Sequence, residues 1–136
     1  MKLNSRPLEE SDYEQILVGW WKDWKWEPPL KDFLPDDGKS GIIIYDDNTP
    51  VCAGFIYMTN SKVAWVDWII SNKQYTNKEG RKSALSLLIE TLTHIAQISG
   101  NRFAYALIKH NGLIKTYESL GYIQGDSYNK EMIKVL

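Results

Sequence analysis

The sequence predicts an α/β domain, on three observations. Segments with the β-branched and aromatic content of strands interchange with segments whose apolar residues recur every three to four positions. The chain has 136 residues, 43% of them hydrophobic, which suits one compact domain spanning residues 1–136. No repeat, low-complexity tract or long linker divides it.

The elements follow in order. A strand is expected over Lys2 to Pro7. Ser11 then stands where it can cap a helix, with Glu14 three residues on to complete a capping box, and the helix should run to about Lys22. Pro28-Pro29 and Pro35-Asp36-Asp37-Gly38 break regular structure twice and leave a short helix or turn around Leu30 to Leu34. Strands at Gly41 to Tyr45, Val51 to Met58 and Val63 to Ile70 are separated by turn-rich segments, which makes an antiparallel meander. From Arg81 to Ser99 the period changes, with Ala84, Leu85, Leu88, Leu92, Ile95 and Ala96 on one helical face and Gly100 as the stop. A strand at Phe103 to Ile108, a helix at Leu113 to Leu120 ended by Gly121, and a last strand at Met132 to Leu136 complete the chain.

Charge and cysteine content narrow the function classes. Sixteen Lys and Arg against 17 Asp and Glu give a net charge of -1, which disfavours a dedicated nucleic-acid binder. A single cysteine, Cys52, can form no intrachain disulfide and no multi-cysteine zinc module, and fits a reducing cytoplasm. No apolar run approaches the roughly 20 residues of a bilayer span, and Met1 to Asn4 lacks the start of a signal peptide.

The segment Asn111 to Tyr122, NGLIKTYESLGY, carries the most specific pattern. Asn111 is a good N-cap, and Leu113, Ile114, Tyr117 and Leu120 share one helical face, which turns the Tyr117 phenol toward the sheet. Taken alone, Tyr117 reads first as an amphipathic core residue. The order Asn111, Tyr117, Glu118, Leu120, Gly121, Tyr122, however, resembles the C-terminal motif of the GNAT superfamily of N-acetyltransferases. Arg6-Pro7-Leu8 before a helix resembles that family's opening, and Trp65 to Ile70 its fourth strand.

The resemblance implies a GNAT-like acyl-CoA N-acyltransferase fold, with a mixed, mostly antiparallel sheet flanked by helices and splayed between Val63 to Ile70 and Phe103 to Ile108. It implies acetyl-CoA as cosubstrate, a primary amine as acceptor, direct attack in a ternary complex, and no metal. Tyr117 would protonate the departing thiolate. Deleting only its hydroxyl would then leave the fold nearly intact. Pantetheine would lie along the backbone of Ile69, Ile70 and Ser71, with Asn111 beside it. The diphosphate would sit before the long helix at Lys78, Gly80, Arg81, Lys82 and Ser83, where free amides and the helix dipole favour an anion. The match there is degraded. Asn77 stands where Arg or Gln is usual and Lys82 where a second small residue is usual, so a catalytically degenerate domain that binds acyl-CoA is the alternative.

Asp67 is the remaining catalytic candidate. A carboxylate inside the apolar run Trp65 to Ile70 costs free energy unless solvated, paired or protonated. It reads either as the base that takes the amine proton or as a residue alternating outward into solvent, and His110 is the other candidate base. His94 reads as structural. Trp20, Trp21, Trp24 and Trp26 read as core packing or as one wall of an acceptor groove. A homodimer is compatible with all of this.

Overall fold

The computed structural model describes all 136 residues. Five strands, β1 (Leu3–Pro7), β2 (Gly41–Asp46), β3 (Thr49–Met58), β4 (Val63–Ser71) and β5 (Phe103–Tyr105), form one sheet in sequence order. Neighbours from β1 to β4 are antiparallel, and β5 lies parallel to β4. A parallel return requires a crossover, and α2 (Lys78–Ile98) supplies it.

Strand alternation sorts the apolar residues onto two faces. Ile42, Ile44, Cys52, Ile56, Ala64 and Val66 meet Ala84, Leu88, Ile89 and Leu92 of α2, with Tyr117 of α3 (Asn111–Ser119) in the same cluster. Ile43, Ala53, Phe55 and Ile70 face the other way, against Leu17, Trp20 and Trp21. These last residues come from a π-helical turn, Tyr13–Leu17, that continues as α1 (Val18–Asp23). Both faces are therefore covered, as the mix of α and β segments predicts. No helix is long and apolar enough to cross a membrane.

The structure corrects several expectations. Ser11 does not cap the first helix: Asp12 occupies the cap position without capping. Its carboxylate is committed elsewhere, to a two-bond pair with the Arg6 guanidinium at 2.8 and 2.9 Å and to the Glu9 amide at 2.7 Å. A charge-assisted fork outcompetes a neutral cap. The long helix begins at Lys78, earlier than Arg81, with Asn77 as its cap. In α3 the N-cap position falls on His110, and Asn111 is the first helical residue. β5 ends at Tyr105 instead of Ile108. The expected strand at Met132 to Leu136 does not form. Residues beyond Tyr122 have no regular structure, and Met132, Val135 and Leu136 are 87%, 88% and 109% exposed. Their composition suits a strand, but no neighbouring strand pairs with them.

Candidate active site

The site is built on an irregularity in β4. Phe55 pairs with Asp67 and Ala53 with Ile70, so the single residue Gly54 on β3 faces two residues, Trp68 and Ile69, on β4. This is a β-bulge, and Trp68 takes its left-handed position at φ 56°. A bulky residue there is strained, and packing holds it. The Trp68 ring meets Phe33 and Trp21 edge to face, at centroid distances of 5.6 and 6.4 Å. Ile69 turns to the opposite face and fills the space that a Cβ on Gly54 would occupy, beside Leu88 and Leu92. The bulge thus sets Asp67 and Trp68 on the α1 side of the sheet and Ile69 on the α2 side.

Upstream of the bulge, β4 and β5 part after Trp65. Their register runs Val63 with Phe103, Ala64 with Ala104 and Trp65 with Tyr105, and stops there. Continued, it would pair Val66 with Ala106 and Asp67 with Leu107. Side chains take over instead. The Leu107 amide donates to Asp67 Oδ2 at 3.1 Å, and the Tyr117 hydroxyl donates to the Val66 carbonyl at 2.6 Å. Asp67 Oδ1 also accepts from the Trp68 amide at 2.9 Å. Backbone groups at a strand divergence need partners. The two expected catalytic residues, from different elements and different faces, meet that need on either side of the gap.

Their chemistry follows from burial. Desolvation pushes the Asp67 carboxyl above the ordinary carboxylate value, with the bonds from Leu107 and Trp68 opposing it. Tyr117 is 2% exposed. Desolvation, then the Asp67 charge, holds its phenol well above the usual value, so it stays protonated. Burial thus makes the Asp67 carboxylate more basic and keeps the Tyr117 phenol neutral.

The expected pantetheine segment is partly engaged. Ile69 and Ile70 point to opposite cores, and the Ser71 carbonyl accepts the Trp24 indole N–H at 2.8 Å. At the start of α2, Asn77 Oδ1 accepts from the Gly80 amide at 3.0 Å. Tyr75 packs so closely over Gly80 that a Cβ there would overlap its hydroxyl, which donates to Asp46 Oδ2 at 2.7 Å. Arg81 turns back to donate to the carbonyls of Asn72, Lys73 and Tyr75. Lys78 and Lys82 are exposed, Ser83 is half-buried, and Asn111 is exposed.

No family model and no curated protein matches the sequence. Solved structures do. A GNAT family acetyltransferase from Staphylococcus aureus aligns over 98% of this chain and 100% of its own, with a TM-score of 0.62 at 14% identity. Glucosamine-6-phosphate N-acetyltransferase from Arabidopsis thaliana aligns over 98% and 100%, with a TM-score of 0.67 at 11% identity. This chain has the GNAT fold. A transcriptional regulator from Bacillus halodurans aligns as fully, over 96% of this chain and 99% of its own, with a TM-score of 0.70 at 12% identity. One frame serves different tasks, so the GNAT fold does not by itself assign an activity.

Within this GNAT fold the four clustered tryptophans divide. Trp20 and Trp21 are core residues. Trp24 ties down the Ser71 end of β4 and stacks on Trp26 at 5.8 Å, with the Lys73 ammonium 5.2 Å from its ring. Three further aromatic rings, which the sequence pattern does not mark, share a face of the sheet with Asp67. Tyr57, Trp65 and Tyr105 occupy one register row across β3, β4 and β5, next to the row of Asp67. The Trp65 and Tyr105 rings lie 4.5 Å apart, and the Asp67 charge adds to burial in raising the Tyr57 phenol. Their signal was period-two spacing with Asp67 on β4. His110 and His94 are both exposed, on α3's cap and mid-α2.

Proposed function

We propose that this protein is an N-acetyltransferase that passes an acetyl group from a pantetheine thioester, with acetyl-CoA as the donor to test, to a primary amine by direct attack in a ternary complex. The observation that carries the reading is the gap between β4 and β5 flanked by Asp67 and Tyr117. The activity of the structural neighbours with the same fold supports it.

In this mechanism the thioester lies in the gap, its pantetheine arm running beside Ile69 to Ser71 as an added strand would. The amine enters past Tyr57, Trp65 and Tyr105, whose rings suit an alkylammonium group before it loses its proton. Asp67 takes that proton, and the neutral nitrogen attacks the carbonyl carbon. A C–N bond forms as the carbonyl pair moves to oxygen, and the oxyanion collapses with cleavage of the C–S bond. Tyr117 rotates its O–H from the Val66 carbonyl toward sulfur and protonates the thiolate, then regains its proton from solvent as Asp67 loses one. The products are an amide and a free thiol. Orientation and a placed acid and base supply the acceleration.

Thiol release on mixing acetyl-CoA with a panel of primary amines tests this. Turnover with at least one amine, lost in both the Tyr117→Phe and Asp67→Asn variants, is the expected result. No release with any amine would refute it. The start of α2, where Tyr75 covers Gly80 and Lys82 replaces a small residue, favours one other reading, a domain that holds a thioester without turning it over. That reading expects calorimetric binding with no thiol release.

A further inference from the structure

We propose that this protein forms a dimer with a second copy of itself by reciprocal strand addition, Lys130 to Leu136 of each copy pairing antiparallel with the outer edge of β5 in the other. One chain holds both halves of such a contact: an edge without a strand, and a strand sequence without an edge.

The edge lies on the far side of β5 from β4. β5 ends the sheet, and no strand stands beyond it. The chain has no regular structure between Tyr105 and α3, and from Ala106 to Lys109 it makes no backbone-to-backbone hydrogen bond. The Phe103 and Leu107 amides point toward β4, donating to the Lys62 carbonyl at 3.0 Å and to Asp67 Oδ2 at 3.1 Å. By alternation those of Ala104 and Ala106 point outward. Side chains alternate too. Ala104, Ala106 and Ile108 pack against the core under α2, while Phe103 and Leu107 are exposed on the opposite face. An edge of this kind is a template for another strand.

The strand sequence is the segment that closes the chain. From Ile123 to Leu136 no residue makes a backbone-to-backbone hydrogen bond. Met132, Ile133, Val135 and Leu136 are all exposed, an apolar group too concentrated to be scattered surface residues. Extended, the segment puts Ile133 and Val135 on one face and Met132 and Leu136 on the other. With Met132 opposite Leu107 and Leu136 opposite Phe103, Ile133 and Val135 fall opposite Ala106 and Ala104 and extend the core under α2. Both faces of the edge then meet apolar side chains.

The chain's own run points away from its own edge. The Tyr128 hydroxyl already stands beside that of Tyr105. A strand continuing from Tyr128 at about 3.3 Å per residue carries Met132 to Leu136 roughly 13 to 26 Å onward. The edge extends only roughly 13 Å from Tyr105 to Lys109 and roughly 7 Å from Tyr105 to Phe103 at the same rise, so the segment overshoots either way. A second copy offers the same edge without that tether. A two-fold axis then uses both edges and both segments and leaves none for a third copy. The net charge of -1 sets little repulsion between copies. Met132, Ile133, Val135 and Leu136 with Phe103 and Leu107 offer roughly 700 Å² per copy, and the reciprocal pair roughly 1,400 Å², the size of a specific interface.

Sedimentation equilibrium of the full chain across micromolar concentrations, with amide hydrogen exchange on the same samples, tests this. The expected result is a dimer dissociating in the micromolar range, with the Ala104, Ala106, Ile133 and Val135 amides protected in step with the dimer fraction. Phe103→Asp and Val135→Asp, both at exposed positions, are each expected to weaken the dimer by about ten-fold or more while the diluted monomers melt at the parent temperature. A monomer at every concentration would overturn the proposal. Protected Ala104 and Ala106 amides in that monomer would show the segment paired within its own chain, and unprotected ones would show the edge left for some other partner. A dimer indifferent to both substitutions would overturn it as well, by placing the contact elsewhere.

Discussion

Replacing Tyr117 by Phe separates two jobs that one hydroxyl performs. The ring keeps its place against Tyr122, 4.9 Å away, and in the core under α2. What disappears is the donor 2.6 Å from the Val66 carbonyl, at a site 2% exposed. A buried acceptor left without its partner costs about 1 to 3 kcal/mol. For a chain of this size each kcal/mol moves the melting temperature by roughly 3 to 5 °C, so the variant should melt about 3 to 15 °C lower. This differs from the sequence-based expectation of a nearly intact fold, because nothing local to Tyr117 in the sequence shows that its hydroxyl has a backbone partner. If Tyr117 is also the acid, acetyl transfer should fall by roughly 10 to 10⁴-fold, nearer the lower figure because a thiolate leaves readily. Thermal melting and single-turnover transfer at saturating donor read the two effects independently. An unchanged melting temperature would refute the Val66 bond as a stabilising contact. An unchanged rate would remove Tyr117 from the chemistry.

Three further outcomes are expected. Asp67→Asn should lower transfer sharply and abolish its acid limb. Burial raises this carboxyl, so in the parent protein activity should fall on acidification at a pH above the ordinary carboxylate range, whereas a parent profile flat through that range would argue against a titrating base. Because its folded value exceeds its unfolded one, ionised Asp67 opposes folding relative to its neutral form, so its contribution to stability is present below the unfolded carboxylate pKa and is lost as pH rises through the folded one. Asp12→Ala should cost about 1.5 to 3 kcal/mol through loss of the Arg6 fork. Arg6 holds the Asp12 carboxyl below its ordinary value, so this contribution is present above the unfolded carboxylate pKa and is lost as pH falls through the folded one. Equal acid-unfolding profiles of parent and variant would contradict it. Gly54→Ala should destabilise by about 1 to 3 kcal/mol, since its Cβ would overlap Ile69 in a packed core, and denaturant unfolding with no change in midpoint would show that the bulge yields easily.

What the sequence made legible was what local pattern can carry. The period of Ala84, Leu88, Leu92 and Ala96 located α2, and the order of Tyr117, Glu118, Leu120 and Gly121 pointed to the fold that the structure adopts. Asp67 and Tyr117 both stand out in the sequence, and the structure brings them to the place where β4 and β5 part. Competition between partners was not legible. Ser11 and Asp12 are both good caps by type, and only the position of Arg6 decides where the Asp12 carboxylate goes. Gly80 reads as the glycine of a degraded phosphate loop, yet it is covered by Tyr75, which Asp46 of β2 holds from a distant part of the chain. Met132 to Leu136 has a strand's residues, but pairing is a property of neighbours and none stands beside it. The bulge escaped notice because an apolar run conceals the one-residue slip at Trp68.

That slip makes chain counting itself an instrument of the fold. Before Trp68 the even-numbered residues of β4, Ala64 and Val66, look toward α2; after it the odd-numbered Ile69 does, while even-numbered Ile70 looks toward α1. Removing Trp68 alone would restore uniform alternation without moving any of the other residues to the wrong side. The face that each side chain of β4 takes beyond Asp67 is thus set by a surplus of one residue. A homologous chain one residue shorter here could keep Asp67, Tyr117 and both cores and would lose only the ring that meets Phe33 and Trp21.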